Sequence, residues 1–206
     1  MNIVLLGAQG AGKGIVSDYL SENYGFKHIS TGELFREEIS KNTELGKKLA
    51  LYINQGLLVP DEIVFSILEN ALKGYDNTII DGFPRNMTQA EKLDSLVDVH
   101  LVIYVDAPKE LLIERMAARR FCPYCKTGYS MLFRESTTCD KCGTEIIQRD
   151  DDVPEAINKR LEIFYGNIEP ILNFYKEKNI LHTLDNSREL ADAYKNLEKI
   201  IKNYIN

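Results

Sequence analysis

Nowhere does an apolar run approach the roughly 20 residues needed to span a bilayer, so no membrane-embedded segment is expected. The opening Met1-Asn2-Ile3-Val4-Leu5-Leu6-Gly7 lacks a basic leader, and its apolar run is too short for a secretion signal; it reads as a strand. A basic excess is missing as well. The 25 Lys and Arg stand against 31 Asp and Glu, a net charge of −6, which argues against a general nucleic-acid binder but leaves room for a local arginine cluster around an anionic ligand. Four cysteines are too few for a disulfide scaffold in 206 residues, and the expected compartment is the cytoplasm. Repeats, low-complexity stretches and Pro/Gly-rich linkers are absent too.

What is present is alternation. Short β-branched runs at Ile3–Leu6, Lys27–Ser30, Thr78–Asp81, His100–Val105 and Ile180–Leu184 are each followed by a longer amphipathic stretch, the first from about Gly12 to Asn23. That pattern predicts an α/β fold, a parallel sheet flanked by helices. Two segments interrupt it. Between Thr31 and Gly74 three helical stretches follow one another, punctuated by Gly46, Gly56 and Pro60. From about Phe121 to Val153 apolar periodicity fades, and all four cysteines fall there.

The first chemical motif is Gly7-Ala8-Gln9-Gly10-Ala11-Gly12-Lys13-Gly14, placed between the first strand and the first helix. Its G-x-x-x-x-G-K spacing is that of a phosphate-cradling loop. Glycines let backbone N–H groups converge on phosphate oxygens, the helix N-terminus adds partial positive charge, and Lys13 adds a full one. Gly14 stands where a Ser or Thr usually meets Mg²⁺. Asp81, closing the strand Thr78-Ile79-Ile80, becomes the candidate to position that ion.

Taken together, several motifs resemble the adenylate kinase family. They are the loop with Gly-Lys-Gly, Ser30-Thr31-Gly32 with Arg36, Gly56-Leu57-Leu58-Val59-Pro60-Asp61, Asp81-Gly82-Phe83-Pro84-Arg85 with Gln89, and Arg149-Asp150-Asp151-Asp152 with Arg160. The resemblance covers almost the whole chain. It implies a P-loop kinase fold with a five-stranded parallel sheet of order 2-3-1-4-5, a helical AMP-binding insert and a mobile lid. The expected division is a core of residues 1–30, 60–120 and 154–206, an insert of 31–59 and a lid of 121–153.

By position, the resemblance implies that Gly10, Ala11, Gly12, Lys13, Gly14, Ile15, Arg119 and Tyr129 hold ATP, with Arg115 against the adenine and Arg188 near the donor base. Thr31, Arg36, Leu57, Leu58, Val59, Gly82, Phe83, Pro84, Arg85 and Gln89 would hold AMP. Arg149 and Arg160 would descend on the phosphates of both. Lys13, Asp81, Arg85, Arg119, Arg149 and Arg160 would carry the transfer, with Mg²⁺ accompanying ATP, in a monomer with no nucleic-acid or membrane partner. Arginine suits the task because its planar fork donates two parallel hydrogen bonds to a phosphate and stays charged. Blander roles remain open on residue type alone: Arg36 and Arg115 as helix-surface charges, Arg149 and Arg160 as ion-pair partners of Asp150–Asp152, Tyr129 as packing within the insert. His28, His100 and His182 fall in or beside strands and are given no catalytic role.

Cys122-Pro123-Tyr124-Cys125 and Cys139-Asp140-Lys141-Cys142 form two C-x₂-C pairs separated by 13 residues. Each pair can wrap one side of a metal, and four thiolates complete a tetrahedral, closed and therefore structural Zn²⁺ site. Iron, disulfides and free thiols are the alternatives. Against the family pattern, Gln9 replaces a usual proline, Ile15 a usual threonine and Asn186 a usual glycine. The competing functions are a related kinase using another nucleotide, such as GTP with AMP or a UMP/CMP kinase, and a degenerate nucleotide sensor.

Overall fold

A computed structural model describes residues 1–187 and 189–205; Arg188 lies outside the described residues. Five strands form one parallel sheet: β1 (Asn2–Leu6), β2 (Lys27–Ser30), β3 (Thr78–Asp81), β4 (Val99–Asp106) and, last in the chain, β7 (Leu181–Asp185). Their order is β2-β3-β1-β4-β7, the 2-3-1-4-5 arrangement that the resemblance implies. All five strands end within one residue of the positions the sequence predicts, and β4 extends one residue further at each end.

The three central strands β1, β3 and β4 are largely apolar because both faces are covered, whereas the edge strands β2 and β7 carry His28, His182 and Thr183. Successive side chains point to opposite sides, and the burial follows suit. Ile3, Leu5, Ile79, Leu101, Ile103 and Val105 join one cluster with residues of α1 (Lys13–Tyr24), α6 (Lys109–Ala117) and α8 (Leu190–Ile201). Val4, Leu6, Ile80 and Val102 join the other, with residues of α4 (Asp61–Leu72), α5 (Met87–Leu96) and α7 (Pro154–Glu177). The three helices after Ser30 are α2 (Thr31–Ser40), α3 (Glu44–Asn54) and α4. Gly46 makes the α2–α3 approach possible: a Cβ there would lie 2.5 Å from the Glu38 carbonyl oxygen.

The cysteine segment is built differently. Its ordered backbone is a two-stranded antiparallel ribbon, β5 (Arg119–Phe121) with β6 (Gly128–Ser130), plus single bridges Phe121–Ile147 and Thr138–Glu145. Its buried cluster comprises only Cys122, Cys139 and Ile146, with Cys125, Tyr129 and Met131 packed against it.

Register decides where chemistry can occur. Asp81 pairs with Leu5 on β1 and with Ser30 on β2, and Leu6 pairs with Tyr104 on β4. The ends of four strands thus align, and the loops that follow them meet in the crevice beyond the carboxyl edge, where open α/β sheets bind ligands.

Candidate active site

The loop between β1 and α1 takes the conformation its glycines allow, with Gly7, Gly10 and Gly12 at φ of 145°, 84° and 98°. Lys13 heads the helix and folds back over the loop, its Nζ donating to the Gly7 carbonyl at 2.7 Å and the Ala8 carbonyl at 3.0 Å. Burial lowers the Lys13 pKa, with Arg85 and Arg119 pressing the same way while Asp81 opposes them. Ile15, two residues on, is 42% exposed.

Two adjoining clefts open here, of about 600 and 510 Å³. The first is lined by Gly7, Gln9, Lys13, Gly56, Leu58, Gly82, Phe83, Pro84, Arg85 and Arg160 among others. The second takes in Gln9, Thr31, Gly32, Arg36, Leu57, Leu58, Val59, Gly82, Arg85, Gln89 and Arg160. Gln9, Leu58, Gly82, Arg85 and Arg160 border both.

Arg85 is held by its Nε donating to the Gly82 carbonyl at 2.7 Å, and its backbone N–H donates to Gln89 Oε1 at 2.7 Å. Gln89 also donates to Asp61 Oδ1 at 2.6 Å. Thr31 Oγ1 donates to the Gly82 carbonyl at 3.0 Å, tying the start of α2 to the segment after β3. Burial lowers the Arg85 pKa, and the neighbouring Arg160 and Arg36 charges lower it further. Burial likewise lowers that of Arg36, with Arg119 adding to the effect.

The arginines from the far end of the chain arrive as ion pairs. Arg119 grips Asp152 bidentately, Nε to Oδ2 at 2.8 Å and Nη2 to Oδ1 at 2.5 Å. Arg160 holds Asp151 through both its carbonyl and its carboxylate, and donates to the Ile53 carbonyl at 2.9 Å. The Asp151 carboxyl is pressed upward by burial, yet the Arg160 charge and hydrogen bond outweigh that and hold it below its ordinary value. Arg149 lies over the Phe121 ring at 5.8 Å, with a buried Nε that has no hydrogen-bond partner among the described residues. Burial, with Arg119 and Arg36 adding repulsion, lowers its pKa to about 9. Lys13, Arg36, Arg85 and Arg160 therefore line one crevice, with the Arg119 and Arg149 charges close enough to add to the mutual repulsion. Such an arrangement favours an anion of several charges.

Asp81 faces this cluster from the end of β3. Its Oδ2 lies 3.5 Å from His28 Nε2, while Oδ1 is buried without a partner among the described residues. Burial would raise its pKa, but the neighbouring His28 ring and the Lys13 and Arg85 charges leave it below the ordinary value. A deprotonated carboxylate with one free buried oxygen fits a divalent cation or its waters.

Several placements carry no signal in motif spacing. His28 turns out to be Asp81's neighbour rather than an isolated packed residue, because parallel pairing of β2 with β3 sets it opposite Ile79, two residues before the acid and on the same face of the sheet. Asp151 and Asp152, inside an acidic run, are buried at 7% and 1% exposure as counter-ions. Arg115 Nη2 donates to the Asn186 carbonyl at 2.9 Å, so it sits between α6 and the turn after β7. Tyr129 is occupied within the cysteine segment: its hydroxyl lies 3.1 Å from Cys139 Sγ, accepts from the Asp140 N–H at 3.0 Å, and Arg134 covers its ring at 4.4 Å. His100 Nδ1 accepts from the Asn2 N–H, and His182 meets the Tyr204 hydroxyl, both ordinary packing roles.

The four cysteines converge. Their sulfurs all lie within 4.8 Å of one another, and none forms a disulfide. Cys122 and Cys142 approach to 3.4 Å, as do Cys125 and Cys139. The Tyr129 hydroxyl pulls the Cys139 thiol down to about 6, while burial pushes Cys122 up to about 11. This donor set and spacing fit a four-coordinate soft or borderline cation such as Zn²⁺.

Comparison with known proteins agrees with this geometry. The family model described as adenylate kinase matches residues 5–180. An adenylate kinase of Caldicellulosiruptor bescii is 40% identical over 98% of this chain and 99% of its own. One from Archaeoglobus fulgidus is 39% identical over 98% of each chain, and one from Alkaliphilus oremlandii 42% identical over 96% of each. A phosphate loop, a converging arginine set and similarity along nearly the full length all point the same way: the chain belongs to the adenylate kinase family.

Proposed function

We propose that this protein transfers the terminal phosphoryl group of MgATP reversibly to AMP, giving two ADP. One observation carries the reading. Lys13, Arg36, Arg85 and Arg160, from segments far apart in sequence, line two clefts that share a wall, and the Arg119 and Arg149 charges lie near enough to act on the same group. Two anionic nucleotides, meeting end to end, are what such a double cleft suits.

In this reading Gly10, Ala11, Gly12, Lys13, Gly14 and Ile15 cradle the donor phosphates with backbone N–H groups and the Lys13 ammonium. Thr31, Arg36, Leu57, Leu58, Val59, Gly82, Phe83, Pro84, Arg85 and Gln89 receive AMP. Arg119, Arg149 and Arg160 complete the charge around the migrating group. Asp152 and Asp151 hold the first and last of these in place, so little reorganisation is left for the transition state. No covalent enzyme intermediate is involved. Asp81, with its free oxygen, would hold Mg²⁺ directly or through water, and the ion supplies charge neutralisation on the donor phosphates.

The division into a core of 1–30, 60–120 and 154–206, a helical insert of 31–59 and a lid of 121–153 belongs to the same proposal, as do Zn²⁺ on Cys122, Cys125, Cys139 and Cys142, a monomeric state and a cytoplasmic location. Among the described residues no helix is long and apolar enough to cross a membrane. The lid's role is to exclude water from the transfer.

A coupled assay of ATP plus AMP, with and without Mg²⁺ and against a panel of donors and acceptors, tests the reading. ADP formation that requires Mg²⁺ and prefers adenine on both sides is expected. Turnover with GTP in place of ATP would move the assignment to a GTP:AMP kinase. Binding of ATP without turnover would indicate a sensor.

A further inference from the structure

Asn186, just past β7, is 4% exposed. Its backbone N–H donates to the Asp106 carbonyl at 2.8 Å, closing the turn over the end of β4. Its carbonyl accepts from Arg115 Nη2 at 2.9 Å. Its side-chain Nδ2 donates to the Ala11 carbonyl at 2.6 Å, across 175 positions of sequence. A Cβ on Gly12 would come within 2.1 Å of that same Nδ2. The amide therefore occupies the volume that any side chain at position 12 would need.

The carbonyl and N–H of one trans peptide lie in a single plane and point in opposite directions within it. Tying the Ala11 oxygen to Asn186 thus also fixes the direction of the Gly12 N–H, one of the few donors at the head of α1. Gly12 sits at φ 98° and has no side chain to restrain that plane. The restraint comes instead from across the sheet.

We infer that Asn186 is a positioning residue for the donor phosphates, acting through the Ala11–Gly12 peptide: it holds the Gly12 N–H toward the phosphate cradle. Through the Arg115 contact it also joins the loop and α6 into one rigid unit. The inference rests on the reading of this loop as the ATP cradle, and deepens it by naming a residue that sets donor affinity without touching the nucleotide.

The test uses the full chain with Asn186→Ala, which removes the donor, and Asn186→Asp, which sets an oxygen against the Ala11 carbonyl. Calorimetry measures binding of ATP and of inorganic tripolyphosphate, which offers phosphates without a base; steady-state kinetics run alongside. Asn186→Ala should weaken both ligands alike, by about tenfold, the effect of one buried hydrogen bond with its acceptor left unpaired. Asn186→Asp should weaken them more. The KM for ATP should rise in step, while kcat and the KM for AMP move by less than about twofold.

Unchanged tripolyphosphate affinity in both variants would overturn the inference, and a loss confined to ATP would do the same by moving the effect to Arg115 and the base. Parallel losses in kcat and both KM values would also overturn it, as the mark of general structural damage. Asn186→Gly replaces either variant that does not fold. Failure of the unmodified protein to turn over ATP and AMP would sink the enzymatic reading separately, leaving tripolyphosphate binding to decide this one.

Discussion

The parallel sheet and the cysteine segment solve the same problem by opposite means. The sheet buries strands on both faces, with Ile3, Val4, Leu5, Ile79, Ile80, Leu101, Val102 and Ile103 all at 0% exposure. The segment from 121 to 153 buries three residues in its own cluster, two of them cysteines, and leaves Tyr124 and Phe133 at 77% and 86% exposure. Too small to form an apolar core, it gathers four sulfurs instead. Packing can hold a rigid platform for the phosphate loop, whereas a ribbon cross-linked by the proposed metal would move as a body without losing its shape.

Breaking the comparison at its functional centre should have the largest effect. Lys13→Met removes the one ammonium lining the crevice among the described residues, from a half-buried site. A fall in kcat of about 10²–10³-fold is expected, on the scale of losing one preorganised electrostatic donor. Its melting temperature should stay near that of the parent, which distinguishes lost charge from lost fold. Next comes the platform. Leu5→Ala in the central strand should cost about 2–5 kcal/mol, read by denaturant unfolding, with the whole chain affected at once.

The proposed lid is where the two regions should part company. Chelation, followed by excess Mg²⁺ to restore the nucleotide's own ion, should abolish exchange protection across 121–153. Strands β1, β3 and β4 should keep theirs under the same hydrogen-exchange measurement. Loss of protection in both regions together would show that the lid is not independently held. Tyr129→Phe sharpens the same contrast more gently, removing the hydroxyl that meets Cys139 and the Asp140 N–H. About 1 kcal/mol is at stake, visible as faster metal release to a chromogenic chelator with the sheet's unfolding unchanged.

The smallest effect should come from acid. Asp151 has a folded pKa below its unfolded one, so its stabilising contribution is complete above about pH 4 and is lost as pH falls through the lower, folded value. Stability curves of the parent and Asp151→Asn should therefore converge at the acid end and differ at neutral pH.

These contrasts also explain what the sequence made legible. β-branched runs covered on both faces show as continuous apolar stretches in the three central strands, and the alternation with amphipathic helices made the two edge strands readable as well. The phosphate loop and the two Cys-x₂-Cys pairs were readable because their chemistry is contained in a few consecutive positions. Contacts that close over long distances were not. Arg119 finds Asp152 across 33 positions and Asn186 finds Ala11 across 175, and no periodicity encodes such meetings. His28 looked like a strand residue of no consequence because its importance depends on which strand lies beside it. Asn186 was legible only as a departure from a glycine, with no hint of where its amide would go.

Helix α7 has a consequence of its own. Its first turns abut the Gly56 backbone, where a Cβ would lie 2.6 Å from the Ala156 carbonyl oxygen, and reach the Ile53 carbonyl through Arg160. Further along, Ile157 and Leu161 pack on one side of the sheet and Ile168, Ile171 and Tyr175 on the other. Circular permutants should report this directly. New termini between Phe133 and Thr137, on exposed backbone, should be accepted, whereas a cut inside Pro154–Glu177 would sever the one strut that both layers and the Gly56 turn lean on.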